Sequence, residues 1–368
     1  MRAAVGDWSK VKRVLAVRLD NVGDVLMTTP ALRALRSSRS GRHITLLASK
    51  TGAVLEPYLP DVDQVIAYDA PWLKNSGQER DADLRMVQTL RDHEFDAAVI
   101  FTVYSQSALP AAMMCRLAGI SNVLAHVREN PYELVSHWVK EPEPEHLIRH
   151  EVRRQLDLVA TVGATCSNEQ LSLRTRNKDR HSLACLLDEH GLNNRDGWIV
   201  VHCGASAPSR RYRPDYFASV IASLASTGLQ VVLTGSQSER ALTASVFGQC
   251  EKRDHVIDLA GQLTIGELAS LIEQAPLLIC NNSGPAHMAA AVQTPVVDLY
   301  ALTNPQHTPW QVPHQLLYND VPCRNCYSSI CPEGTNACLN GVGPDTVVAA
   351  AMALLRTNAS ESWKSMVA

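Results

Sequence analysis

Apolar positions in the first third of the chain fall into short, near-continuous Val/Ile/Leu/Ala runs. These lie at 13–18, 43–48, 64–68, 97–101 and 122–126. Between them, apolar residues recur at helical spacing over 30–36, 84–91 and 108–117. Uninterrupted apolar strands alternating with helices predict a parallel sheet covered on both faces, the α/β class. The rhythm breaks at Glu141-Pro142-Glu143-Pro144-Glu145, which suits neither helix interior nor strand. An amphipathic helix follows over 150–162 and stops at Gly163. Residues 164–196 are polar, with one helix near 183–190, and mark a hinge.

A second α/β series then starts. Its strands are expected at 198–202, 229–234, 255–258, 277–280, 295–299 and 314–317, and its helices at 216–226, 239–247 and 265–273. The pattern predicts two Rossmann-like domains, 1–175 and 176–345, with 346–368 a C-terminal helix and tail free to pack back toward the first domain. A ligand is expected between the two, at the carboxyl ends of the strands. A length of 368 residues suits two such cores.

Composition narrows the function classes. With 46% hydrophobic and 19% charged residues and a net charge of −3, the chain is globular and carries no global basic field for nucleic acid. A local basic group, Arg33, Arg36, Arg39, Arg42 and Lys50, reads either as a solvated helix face or as a contact for an acidic substrate or membrane surface. No apolar run approaches the ~18–20 residues needed to cross a bilayer. Met1 to Lys10 lacks an apolar signal core, so a cytosolic location is expected. Of ten cysteines, six are scattered singly, and several of these, such as Cys115 and Cys185, read as small core residues. Cys323, Cys326, Cys331 and Cys338 are clustered and either supply thiolates to a metal or remain reduced or reversibly paired thiols.

Three segments carry candidate chemistry. After the first strand comes Asp20-Asn21-Val22-Gly23-Asp24, then Thr29-Pro30. Gly23 is expected to turn the chain, and Thr29-Pro30 to open the helix as N-cap and first helical residue. Asp24 then sits in a loop, either as a general base for a substrate hydroxyl or merely capping a turn. G-x-G-x-x-G is absent, so the loop is no dinucleotide fingerprint. In the second half, the strand at 198–202 leads into Gly204-Ala205-Ser206 and then Arg210-Arg211. Small residues admit a ligand to the backbone, and paired guanidiniums can neutralise phosphate. Cys280-Asn281-Asn282-Ser283-Gly284-Pro285-Ala286-His287 follows a buried strand and opens an apolar helix, aiming backbone N–H groups and a helix dipole at one spot. His287 faces either ligand or sheet. Glu239 either bonds a ribose or is an ordinary helix-start glutamate.

Together these segments resemble glycosyltransferase family 9, the bacterial heptosyltransferase family. The likeness rests on Val17-Arg18 through Gly23-Asp24, Thr29-Pro30-Ala31-Leu32, His150-Glu151 with Leu156-Asp157-Leu158, Gly204-Ala205-Ser206, Arg210-Arg211-Tyr212, Leu259-Ala260-Gly261, Ser283-Gly284-Pro285 with His287, and Thr294-Pro295-Val296-Val297. The cysteine cluster also looks like one found in many members. The resemblance implies a GT-B fold with the nucleotide-sugar donor on the C-terminal domain. It also implies inverting, metal-independent transfer from an ADP-linked, heptose-like sugar to a lipopolysaccharide-core or related glycan. Asp24 becomes the base, with Gly23, Arg33 and Arg36 on the acceptor side. Gly204, Ser206, Arg210, Arg211, Glu239, Asn282, Ser283, Gly284 and His287 face the donor. No cofactor is implied, since the nucleotide sugar is a substrate, and the expected form is a monomer touching the inner membrane from the cytoplasm. Two departures stand out: Asn282 where the family usually has Asp, and Arg210 where it usually has Lys. The alternatives are a nucleotide-sugar epimerase or hydrolase on the same fold and a non-catalytic sugar-nucleotide binding protein.

Overall fold

The computed structural model describes residues 7–73, 81–192 and 197–358. The ends of the first and last expected segments, 1–6 and 359–368, lie outside the described residues. The chain divides into two compact units, Met1–Ser172 and Leu173–Ala368.

The first unit contains β1 (Arg13–Arg18), α1 (Val22–Ser37), β2 (His43–Ala48), a short α2 (Lys50–Ala53) and β3 (Gln64–Ala67). It continues with α3 (Ala82–Asp92), β4 (Ala97–Ile100), α4 (Leu109–Leu117), β5 (Val123–Val127), β6 (His137–Lys140) and α5 (Glu151–Ala160). All six strands are parallel, in the order β3-β2-β1-β4-β5-β6. The central strands β1, β4 and β5 are buried from end to end apart from Arg13, which explains their unbroken apolar runs. β6 escapes the sequence pattern because it is an edge strand of four residues with alternating exposure.

The second unit repeats the plan: α6 (Asn177–Glu189), β7 (Trp198–His202), α7 (Pro214–Ala225), β8 (Gln230–Thr234), α8 (Arg240–Gln249), β9 (Val256–Asp258) and α9 (Ile265–Gln274). Then come β10 (Leu278–Asn281), α10 (Gly284–Val292), β11 (Val296–Leu299), β12 (His314–Leu317), α11 (Ala337–Asn340) and α12 (Pro344–Asn358). The strand order is β12-β11-β10-β7-β8-β9, again all parallel. Each sheet therefore reverses direction of growth beside its first strand, between β1 and β4 and between β7 and β10. Ligands of doubly wound sheets bind at that place. The C-terminal helix α12 buries Val347, Ala351, Leu354 and Leu355 in the core of this second unit.

Two local expectations are corrected. The first helix starts at Val22, eight residues before Pro30, so Thr29-Pro30 lies inside it and does not open it. A proline there removes the N–H that would bond the Leu26 carbonyl. The Thr29 hydroxyl donates to that carbonyl at 2.6 Å and accepts from the Ser172 amide at 2.9 Å. One side chain thus repairs the gap and ties the helix to the end of the unit. Cys185, expected in a core, is exposed. On α6 the buried residues are Asp179, Leu183 and Leu187, spaced by four, and Cys185 falls between them on the outer face.

Thr29→Val should leave two buried backbone groups without partners and destabilise the protein by roughly 1–3 kcal/mol. Urea melts followed by circular dichroism check this, with Thr29→Ser retaining wild-type stability.

Candidate active site

In the first unit the candidate chemistry gathers around Arg18, the last residue of β1, which is wholly buried. Its Nη1 donates to Glu151 Oε1 at 2.9 Å and its Nη2 to Asp24 Oδ1 at 3.0 Å, while Nε lies 3.1 Å from Asp20 Oδ2. Glu151 opens α5 and is itself fully buried. Burial pushes the Asp20 carboxyl above its ordinary range; Arg18 pulls it back and the neighbouring Asp24 adds to the rise.

Asp24 is not in a loop. It occupies the third position of α1, where Oδ2 accepts the Asn21 amide at 3.2 Å. The carboxylate therefore caps the helix and is held by Arg18 at once, and its side chain is 16% exposed. Gly23 lies buried in the same helical turn and does not adopt the left-handed conformation expected of a sharp bend. The strand-to-helix link is short enough that Asn21, as N-cap, makes the turn.

The two arginines expected on the acceptor side hold protein partners. Arg33 donates to the carbonyls of Asn168 and Gln170 at 2.9 and 2.8 Å, to the Ser172 hydroxyl, and faces Asp61. Arg36 grips Asp63 with two bonds of 2.7 and 2.8 Å. Arg42, also in this basic group, is buried and donates to the carbonyls of Trp8, Val11 and Leu35.

In the second unit, the two loops expected to meet leave neighbouring parallel strands, β7 and β10. Asn281 locks them together. Fully buried at the end of β10, it accepts the Tyr212 amide at 3.0 Å and donates to the Cys203 carbonyl at 2.7 Å. The sequence places Asn281 in the informative 280–287 stretch but gives it no role of its own; the signal was an amide side chain closing an otherwise apolar strand. Gly204 follows, and a Cβ on it would overlap the Glu239 carboxylate. Glu239 accepts both the amide and the hydroxyl of Ser236 at 2.8 Å, a helix-start role. Burial pushes its carboxyl up, but Ser236, His202 and Arg211 together bring it below its ordinary value. Ser206 is exposed. Arg210 is half-buried in a single turn over Pro208–Arg210, and exposed Arg211 donates to the Ala205 carbonyl at 2.8 Å.

At α10, Ser283 takes the N-cap backbone conformation but turns its hydroxyl back to the Asn281 carbonyl at 3.0 Å, so no side chain caps the helix. A side chain at Gly284 would meet nothing within 4 Å. The helix start thus faces open space. Asn282 and His287 are buried, and the His287 ring stands edge-on to His307 with centroids 6.4 Å apart.

Asp298, which sequence reasoning did not single out, is fully buried on β11 in register with Cys280. Burial drives its carboxyl well above the usual range, with Arg210 acting in the opposite direction. The four clustered cysteines are unbridged and line one cavity of about 20 Å³ beside Ser209. Ser209 bonds the carbonyls of Ser328 and Ser329, so the cysteine loop buttresses the turn bearing Arg210. Among the described residues no three His, Cys, Asp or Glu side chains are arranged to hold a metal ion.

Two doubly wound parallel sheets of six strands, one in each unit, match the GT-B fold. Residues 84–336 match the model of glycosyltransferase family 9 (heptosyltransferase). The chain belongs to that family and is a glycosyltransferase. It is 25% identical over 295 residues to lipopolysaccharide heptosyltransferase 3 of Escherichia coli K12, covering 78% of this chain and 82% of that one. Among solved structures it resembles the family 9 glycosyl transferase of Veillonella parvula, with TM-score 0.78, 21% identity, and 96% and 99% of the two chains covered. It also resembles E. coli ADP-heptose lps heptosyltransferase II, with TM-score 0.75, 21% identity, and 95% and 100% covered. Arg18 and Asp24 lie outside the matched residues 84–336.

Asp298 makes a signed prediction. A carboxyl whose folded pKa is raised favours folding fully only below its unfolded pKa, about 3.9, and that contribution is lost as pH rises. Asp298→Asn should therefore match wild type in Tm near pH 4 and exceed it increasingly toward pH 8. Differential scanning calorimetry across that range checks the sign.

Proposed function

We propose that the protein transfers a heptose-like sugar from an ADP-linked donor to a hydroxyl of a lipopolysaccharide-core or related glycan, with inversion at the anomeric carbon. The observation that carries the donor half is the uncapped α10 start beside Arg210 and Arg211. The positive end of the α10 dipole and two guanidiniums suit a diphosphate that gains charge as its bond to the sugar breaks. The donor and acceptor classes follow those in the names of two similar proteins, ADP-heptose lps heptosyltransferase II and lipopolysaccharide heptosyltransferase 3.

In this reading Asp24 takes the proton of the acceptor hydroxyl. The oxygen attacks the anomeric carbon, and the carbon–oxygen bond to the diphosphate breaks with its electron pair leaving on ADP. Arg18 orients the Asp24 carboxylate, and the acceptor docks on the first unit and the donor on the second. Glu239, held over Gly204, accepts a ribose hydroxyl, and Asn282 and His287 contact the sugar and phosphates. The enzyme acts as a monomer at the cytoplasmic face of the inner membrane. Among the described residues no helix is long and apolar enough to cross a bilayer.

Asp24→Asn should bind ADP-heptose with near wild-type affinity by calorimetry while turnover falls ~10²–10⁴-fold. Full turnover in that variant overturns the assignment of the base. Because arginines and a helix dipole supply the positive charge here, protein dialysed against EDTA should keep its rate. Loss of activity restored by added Mg²⁺ would refute that part. Incubation with ADP-heptose alone separates a transferase from a hydrolase or epimerase, which consumes the donor without acceptor.

A further inference from the structure

The first unit holds a cavity of about 270 Å³ at its own switch point, between the carboxyl ends of β1 and β4. This is close to the lower bound, ~300 Å³, of pockets that hold small ligands. Val17 and Ile100 line it from the strands, together with the half-buried Trp72, whose ring meets Tyr68 edge-on with centroids 6.0 Å apart. The 105–107 loop and the first turn of α4, at Pro110 and Ala111, complete the lining. Polar groups converge at one end. Asp20 accepts the Gln106 side-chain amide on Oδ1 at 2.8 Å and meets Arg18 through Oδ2. The cavity therefore offers an aromatic face, an apolar lining and a carboxylate–amide pair.

Charge decides what fits. One guanidinium, Arg18, is shared by three carboxylates, of which Asp20 lines the cavity while Asp24 and Glu151 stand behind it on the same cation, so the balance of charge around its polar end is negative. Phosphate or carboxylate is repelled there, whereas hydroxyl donors are welcome. A neutral pyranose ring has both features required, hydroxyls for Asp20 and Gln106 and a C–H face for Trp72.

We propose that this cavity binds an unphosphorylated, uncharged pyranose unit of the acceptor glycan, with Asp20 and Gln106 as its polar contacts and Trp72 as its stacking platform. The proposal rests on the reading of the first unit as the acceptor side. It deepens that reading by naming the ring chemistry. Asp20 and Asp24 lie on the same guanidinium, so a ring seated against Asp20 stands one side chain away from the proposed base. Asp20 is then a specificity residue, distinct from the group that takes the proton.

The test is saturation-transfer NMR on the full chain with methyl α-mannopyranoside and methyl α-glucopyranoside as neutral probes and mannose 6-phosphate as the charged one. At least one neutral glycoside should bind in the millimolar range, unaffected by saturating ADP, while the phosphorylated sugar gives no signal. Asp20→Asn and Gln106→Ala should each weaken binding roughly ten- to hundredfold. Ala111→Phe, which fills the cavity from the α4 side, should abolish it. On deacylated inner-core lipopolysaccharide, Ala111→Phe should raise the acceptor KM at least tenfold with the donor KM unchanged. Absence of binding by both neutral probes, equal binding of mannose 6-phosphate, competition by ADP, or wild-type binding in Ala111→Phe would each overturn the proposal. Failure of wild type to bind ADP-heptose would instead defeat the donor reading and leave the glycoside result standing.

Discussion

The first unit depends on a guanidinium buried at the end of its central strand. An arginine with no exposed surface is tolerable only if its donors meet anionic or carbonyl partners. Arg18 meets three carboxylates from three places: Asp20 just past β1, Asp24 in the first turn of α1, and Glu151 at the start of α5. Removing the cation would leave these carboxylates facing one another in a poorly solvated site. The constraint is therefore mutual. It holds strand, helix and distant helix in one geometry and presents two of the three acids near the sheet's carboxyl end.

The second unit solves the corresponding problem with a neutral group. Asn281 bridges the loops after β7 and β10 through a donor and an acceptor on a single amide. No charge is buried at the switch point by that bridge, and the uncapped start of α10 remains the local source of positive potential. Gly204 matters for a steric reason: only a residue without a Cβ lets the Glu239 carboxylate lie against that loop. The two sheets share one strand order, yet the first switch point gathers three carboxylates on one arginine while the second adds a helix start and two arginines to its acids. Such a division suits a hydroxyl acceptor on one and a diphosphate donor on the other.

Much of the fold was legible in the chain because parallel, doubly covered strands leave an unbroken apolar signature. The strands of both sheets were read within a residue or two, except β6, whose exposed, four-residue edge position erases that signature. The Arg210-Arg211 turn and the Ser283–His287 helix start were legible from small residues following buried strands. The start of α1 was not. Pro30 reads as a helix opening, and only the hydroxyl of Thr29, placed over the Leu26 carbonyl, shows how the helix passes through it.

The alternation of apolar runs by itself determined the α/β class and the two-unit plan, since strand burial follows from local composition. The motif order placed the chain in its family. What tertiary structure alone decided was pairing. That Arg18 meets Glu151, 133 positions away, that Arg33 and Arg36 bind their own unit, and that Asn281 clasps a loop 78 residues earlier are facts of proximity. Charge and polarity are written along the chain, but their partners are set by where the strands bring them. A side chain's role at these sites follows from its partner.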